Sequence, residues 1–125
     1  RLRAVVEAGA VDYVAMDIKN CKARYAETAG VPGLDLAPIE KSVQFLMEGS
    51  VDYEFRTTVV KELHNKADFD EIGRWLKGAK RYFLQSFKDS GDILSPGLSP
   101  MEKADLLEIR DRLRAEIPGV ELRGV

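Results

Sequence analysis

The chain has few of the residues that form disulfides or bind metals. Its 125 residues include one cysteine, Cys21, and one histidine, His64. A single cysteine excludes an internal disulfide and fits a reducing compartment, so we expect a cytoplasmic protein. It also cannot hold an iron–sulfur cluster, which needs several thiolates. His64 has no second histidine or cysteine nearby, and its polar neighbours predict that it is exposed to solvent rather than bound to a metal.

Long apolar runs, strong net charge and glycine-rich phosphate loops are also absent. No apolar segment approaches the ~18 residues that a membrane span requires. The formal net charge of −2 gives no bias toward nucleic acid or an anionic membrane. Because no glycine-rich loop follows a strand-like segment, the dinucleotide-binding type of α/β fold lacks its motif. The balance of 45% hydrophobic and 32% charged residues predicts one globular domain.

Four strand-like segments end in polar or charged residues, where a buried strand normally stays apolar. They read YVAMDIK (13–19), YEFRTTVV (53–60), YFLQSF (82–87) and VELRGV (120–125). Helical periodicity lies between them. Pro38 starts one predicted helix, an Asp68–Glu71 capping box the second, and Ser99-Pro100 the third.

This alternation predicts an α/β fold with a parallel sheet, because β-α-β crossovers are right-handed. We predict four parallel strands in sequential order, at about residues 12–18, 52–60, 81–87 and 120–124, with the helices on one outer face. This is a partial (β/α) barrel fragment; periodicity alone leaves a doubly wound sheet open. The opening RLRAVVEAG reads as the end of a helix, so we expect residues 1–125 to be the C-terminal part of a longer domain.

Four of the strand-end residues are candidates for ligand binding. Asp17 and Lys19 are two residues apart, so their side chains project to the same face of a strand. They suit the polar groups of a small ligand, or else form structural ion pairs. Arg56 suits a carboxylate, with an ion pair to Asp17 or Glu54 as the alternative. Gln85 is a candidate because it lies at the end of an apolar strand. Its alternative role is that of a hydrogen-bonded amide in the core.

The segments DYVAMDIK, YEFRTTVV, RYFLQSF and VELRGV, in this order, resemble the C-terminal half of the radical S-adenosylmethionine enzymes. The nearest resemblance is to the activating proteins of anaerobic ribonucleoside-triphosphate reductase, followed by the pyruvate formate-lyase activating enzymes. It covers nearly the whole chain, including KARYAETAG and LHNKADFDEIGRWL. It implies a partial TIM-type barrel with S-adenosylmethionine and a [4Fe–4S] cluster at the C-terminal ends of the strands. Such enzymes receive an electron from a donor and form a 5′-deoxyadenosyl radical, which takes hydrogen from a glycine of a partner glycyl-radical enzyme.

The resemblance also implies roles for individual residues. Asp17 and Lys19 match the strand-end pair that contacts S-adenosylmethionine. Arg56 matches an arginine near the cofactor or the partner's glycine loop, and Gln85 a residue beside the adenosine. The family's C-x3-C-x2-C motif and glycine-rich segment are missing from this chain. We therefore expect no metal ligands and no catalytic residue here, and no activity from the chain alone.

Two other interpretations remain at this stage. The chain is a non-catalytic half-barrel that serves as a binding or interaction module, or a complete small α/β enzyme that uses Asp17, Lys19 and Arg56 for acid–base or Schiff-base chemistry. Against the latter, no nucleophile–base pair is recognisable. A half-barrel also leaves edge strands and an inner face uncovered, so we expect self-association through the strand at 12–18 or through the concave face.

Overall fold

The computed structural model describes residues 4, 9, 12–88 and 97–125, so the predicted opening helix lies largely outside the described residues. The elements in chain order are β1 (Tyr13–Asp17), a 3₁₀ turn (Lys22–Arg24), α1 (Tyr25–Ala29), α2 (Ala37–Met47), β2 (Asp52–Val59), α3 (Lys66–Trp75), β3 (Tyr82–Ser86), α4 (Lys103–Leu113) and β4 (Val120–Arg123). In this described part, no helix is both long and apolar enough to cross a membrane.

The four strands form one parallel sheet in the order β1-β2-β3-β4. Phe55 on β2 pairs with Tyr82 on β3, which pairs in turn with Val120 on β4. The prediction of a sequential parallel sheet is therefore confirmed. Because neighbouring parallel strands point the same way, their carboxyl ends meet at one edge of the sheet.

One face of the sheet carries the hydrophobic core. On β2, Tyr53, Phe55 and Val59 are buried on this face. The other strands contribute residues of the same parity, and these form one cluster with the buried residues of all four helices, among them Tyr25, Leu46, Phe69, Ile72, Leu106 and Ile109. Strand residues of the opposite parity are not in this cluster. The helices therefore lie on one side, as predicted for a partial barrel, and a doubly wound arrangement is excluded for the described residues.

Two of the predicted helix starts are wrong. Helix α3 begins one turn earlier than predicted, at a capping box formed by Asn65 and Asp68. The Asn65 side chain accepts from the Asp68 backbone N–H (2.9 Å), and the Asp68 side chain accepts from the Asn65 backbone N–H (3.0 Å). Helix α4 begins at Lys103, and Ser99 does not cap it. The backbone N–H and hydroxyl of Ser99 both donate to the Glu62 carboxylate, at 2.7 and 2.5 Å, so this serine fastens a loop instead of capping a helix.

We predict a pH-dependent stability from Tyr82, whose side chain is fully buried with its hydroxyl 2.6 Å from Thr57 Oγ1. Burial raises the pKa of Tyr82 far above its ordinary value. Above about pH 10 the unfolded chain loses this proton and the folded chain keeps it, so stability falls as pH rises, by up to about 1.4 kcal/mol per pH unit. Urea unfolding between about pH 9 and pH 11 should show this slope, and Tyr82→Phe should reduce it. An unchanged slope in Tyr82→Phe would contradict the assignment.

We also predict self-association through the outer edge of β1, with which no strand pairs in the described residues. The Ile18 N–H donates to the Arg56 carbonyl at 2.7 Å, so by alternation the N–H of Ala15 points away from β2. Ala15→Pro removes that donor and should weaken association, whereas Ala15→Thr keeps it. Sedimentation at tens of micromolar measures the effect, and a monomeric parent chain would contradict the prediction.

A candidate ligand site at the carboxyl ends of β1 and β2

Three of the four candidate residues, Asp17, Arg56 and Gln85, lie within strands on the open face of the sheet, opposite the helices. Asp17 is the last residue of β1 and pairs in register with Arg56 on β2. Lys19 follows two residues after Asp17, and Gln85 on β3 pairs in register with Thr58 on β2. The three strand residues thus share one face near one edge of the sheet.

Asp17 and Arg56 form a direct ion pair, with Arg56 Nε 2.7 Å from Asp17 Oδ1. The ion-pair alternative considered from the sequence is therefore realised. Both side chains remain substantially exposed, at 49% and 38%. An ion pair this exposed is worth at most about 1 kcal/mol, so a charged ligand can compete for either partner.

Asp17 and Lys19 both line a cavity of 230 Å³ at the carboxyl ends of β1 and β2. Its other lining residues are Ile18, Thr28, Thr58, Val60, Leu63, His64 and Phe87. Small-molecule sites usually measure roughly 300–1,000 Å³, so this space fits one polar portion of a larger ligand. Arg56 adjoins it through Asp17. Gln85 does not line it, so Gln85 shares the face of the sheet but not the cavity.

Below this cavity, the open face holds a buried carboxylate. Glu54 is only 7% exposed and accepts hydrogen bonds from Tyr13 (2.8 Å) and Arg123 (2.9 Å). Arg123 crosses β3 to reach it, with its guanidinium 3.7 Å from the centre of the Phe83 ring. Burial alone would raise the pKa of Glu54, but these two hydrogen bonds and the nearby arginines bring it below its ordinary value. Glu54 is therefore a charged structural brace rather than a ligand group.

His64 contradicts the prediction of solvent exposure, because it is buried, with 5% of its surface exposed. The loop after β2 turns its ring toward β1, where Nε2 lies 2.8 Å from the Lys19 carbonyl oxygen. Its other ring nitrogen, Nδ1, accepts from the Val60 N–H at 3.1 Å. Polar neighbours in sequence concealed this role. The usable signal was its position in the short loop after β2, which ends at Val59, at the edge where the carboxyl ends of the strands lie.

Cys21 is buried beside the Asp68 carboxylate, at 3.7 Å from its Oδ1. Burial, together with the nearby carboxylate, raises the pKa of this thiol. Arg24 binds the other oxygen of Asp68 at 2.6 Å, so this carboxylate is already neutralised. In residues 12–88 and 97–125, no group of three histidine, cysteine or acidic side chains could hold a metal ion.

Larger cavities lie on the helical side of the molecule, around Trp75. They measure 440 and 360 Å³. Their charged side chains are paired along the surface, Lys22 with Glu40 at 3.1 Å and Arg74 with Glu71. The charged groups of the 440 Å³ cavity are thus already paired, whereas Lys19 at the strand ends has no partner in the described residues, so the smaller cavity is the better candidate.

We predict that Glu54→Gln destabilises the chain far more than Arg56→Gln. The first change weakens two hydrogen bonds to a buried charge, worth about 1.5–3 kcal/mol each, whereas the second removes an exposed ion pair worth at most about 1 kcal/mol. Urea unfolding of both variants at neutral pH measures the difference. Equal losses would mean that Glu54 does not brace the open face.

No family model matches the chain, and no curated protein matches it. Its fold is similar to the crystal structure of a domain of pyruvate-formate lyase-activating enzyme from Bacteroides vulgatus. The TM-score is 0.75 over 99% of this chain and 75% of that chain, at 12% sequence identity. The resemblance suggested by the sequence is thus confirmed at the level of the fold.

Proposed function

We propose that this chain supplies the S-adenosylmethionine-binding strand ends of a radical S-adenosylmethionine enzyme that activates a glycyl-radical enzyme. One observation carries the proposal: Asp17 and Lys19, a carboxylate and an ammonium group, line one cavity at the carboxyl edge of a parallel half-barrel. In β/α barrels, ligands bind at this edge. The fold shared with an activating enzyme supports the choice of family.

The amino-acid end of S-adenosylmethionine carries both an ammonium and a carboxylate group, and the cavity offers a counter-charge for each. Asp17 accepts from Arg56 through Oδ1, which leaves Oδ2 to accept from the ligand's ammonium group. Lys19 would bind the ligand's carboxylate. Arg56 would hold Asp17 in place, and Gln85, outside the cavity but on the same face of the sheet, would contact the adenosine. The bound ligand would supply the 5′-deoxyadenosyl group.

A [4Fe–4S] cluster does not fit these residues. It requires several thiolates, and the only cysteine of the chain is buried with a raised pKa. We therefore assign the cluster ligands to residues outside 1–125 and expect the chain alone to be inactive. The proposed partners are a glycyl-radical enzyme, such as anaerobic ribonucleoside-triphosphate reductase, and an electron donor, all in the cytoplasm.

The alternative is a half-barrel that binds a partner without catalysis. The unpaired edge of β1 and the open sheet face favour it, because both are surfaces that another chain can cover. This alternative requires no affinity of the strand ends for S-adenosylmethionine, and a binding measurement therefore separates the two functions.

We predict weak binding of S-adenosylmethionine to the chain, with a dissociation constant on the order of 1 mM, because the cluster is absent. Lys19→Ala and Asp17→Asn should each weaken it roughly fivefold, the effect of losing one partly exposed charged contact. Lys41→Ala, on the exposed side of α2, is the matched control and should bind like the parent chain. Isothermal titration calorimetry at high ligand excess measures all four. Affinity that is unchanged by both site variants would contradict the assignment.

A second prediction concerns the protein encoded by the complete reading frame, purified without oxygen and reconstituted with iron and sulfide. It should cleave S-adenosylmethionine to 5′-deoxyadenosine, and Asp17→Ala or Lys19→Ala should slow cleavage by about tenfold or more. Chromatography of the product measures this. Equal cleavage by both variants would show that the roles assigned to these residues are wrong, and the absence of a cysteine triplet would favour the binding module.

A further inference from the structure

Two buried polar side chains connect the loop after β1 to the loop after β2. Asn20 is fully buried, and its Nδ2 donates to the Leu63 carbonyl oxygen at 3.2 Å. His64, the neighbour of Leu63, reaches in the opposite direction to the carbonyl oxygen of Lys19, the neighbour of Asn20. Each loop thus donates a side-chain hydrogen bond to a backbone carbonyl of the other loop. In each loop, the donating residue and the accepting residue are adjacent in sequence. We call this pair of contacts the cross-brace.

The hydrogen bonds of His64 favour one position of its ring proton. The Val60 N–H donates to Nδ1 at 3.1 Å, so Nδ1 is the acceptor. Nε2 then carries the proton and donates to the Lys19 carbonyl oxygen at 2.8 Å. A neutral ring in this tautomer satisfies both of these contacts at once. The opposite tautomer loses both and keeps only a longer contact, from Nδ1 to the Val60 carbonyl oxygen at 3.3 Å.

Asn20 completes the brace from the other side. Its Nδ2 also donates to Thr28 Oγ1 at 2.9 Å, and its Oδ1 accepts from the Cys21 N–H at 2.7 Å. The one amide therefore ties the chain after β1 to α1, to the loop after β2 and to its own following residue. A group as deeply buried as this costs about 1–3 kcal/mol for each partner that it loses, so the loop conformation is strongly determined.

The cross-brace encloses the residue that the proposed function needs most. In the described residues, the Lys19 side chain makes no hydrogen bond or ion pair, so its direction depends on how its backbone is held. The backbone that follows this side chain is held at two points. The Lys19 carbonyl oxygen accepts from His64, and the next residue, Asn20, donates through its own side chain to the Leu63 carbonyl oxygen. Lys19, Leu63 and His64 all line the same cavity.

We infer that Asn20 and His64 are positioning residues, which hold the Lys19 segment at the cavity through the cross-brace. The inference deepens the proposed function, since the ligand that Lys19 would meet is the one proposed above. The cross-brace itself is a property of the ligand-free chain and is testable without a ligand.

The sharpest test uses two amide substitutions of His64. In His64→Gln, the amide nitrogen falls near the place of Nε2 and can still donate to Lys19. In His64→Asn, the shorter side chain can accept from Val60 but does not reach Lys19. The Cys21 N–H, which lies across the brace, should exchange with solvent about tenfold faster in His64→Asn, and within about threefold of the parent chain in His64→Gln. A role confined to the loop after β2 predicts that both variants behave alike, and that result would overturn the inference.

Asn20→Asp gives the reciprocal measurement. It keeps the acceptor for the Cys21 N–H and removes the donor to Leu63. The backbone N–H of His64, which donates to the Val60 carbonyl oxygen at 3.0 Å, should then exchange with solvent several-fold faster. Unchanged exchange there would mean that the two loops are not connected through Asn20.

If a variant does not fold, the parent chain alone still decides. Nitrogen-15 NMR of the imidazole should give one protonated nitrogen, Nε2, with a slowly exchanging proton, and one bare nitrogen, Nδ1. A proton on Nδ1, or a rapidly exchanging Nε2–H, would overturn the inference. The ligand is a separate readout: His64→Asn should weaken S-adenosylmethionine binding about fivefold and His64→Gln less. A parent chain that shows the exchange pattern but binds no S-adenosylmethionine refutes the proposed function and leaves the cross-brace in place.

Discussion

The alternation of side chains along β2 determines which side of the sheet becomes the core and which carries the charged groups. Tyr53, Phe55 and Val59 face the helices and are buried in the core, whereas Glu54 and Arg56 face the opposite way. A shift of the register by one residue would bury the charges and expose the core, so this alternation fixes both faces together. The parallel pairing then brings the other strand ends to the same edge, where the candidate site lies.

The polar groups on the open face fall into two sets, one buried and one exposed to solvent. Toward the amino ends of the strands, Glu54 is buried and bound by Tyr13 and Arg123, and this contact joins β1, β2 and β4 across the sheet. At the carboxyl edge, the Asp17–Arg56 pair is exposed, and Lys19 has no partner in the described residues. A charge held loosely in this way costs little to rearrange, and that is the property a binding site needs.

The sequence predicted what depends on local pattern, and it missed what depends on distant contacts. The positions of the strands and their order followed from period-two alternation and β/α order. The burial of His64 did not, because its partner Lys19 is 45 residues away in the chain. The same is true of Glu54 and Arg123, 69 residues apart. At the start of α3, the capping patterns Asn65–Asp68 and Asp68–Glu71 overlap in the sequence, and local rules alone do not choose between them.

Nitrogen-15 NMR of the backbone amides during a titration with S-adenosylmethionine would show directly where this ligand binds. We expect saturable shifts at residues 17–19, 58 and 63–64, with the helical surface around Trp75 unaffected. Saturable shifts centred on Trp75, or no saturable shifts at any accessible ligand concentration, would contradict this expectation.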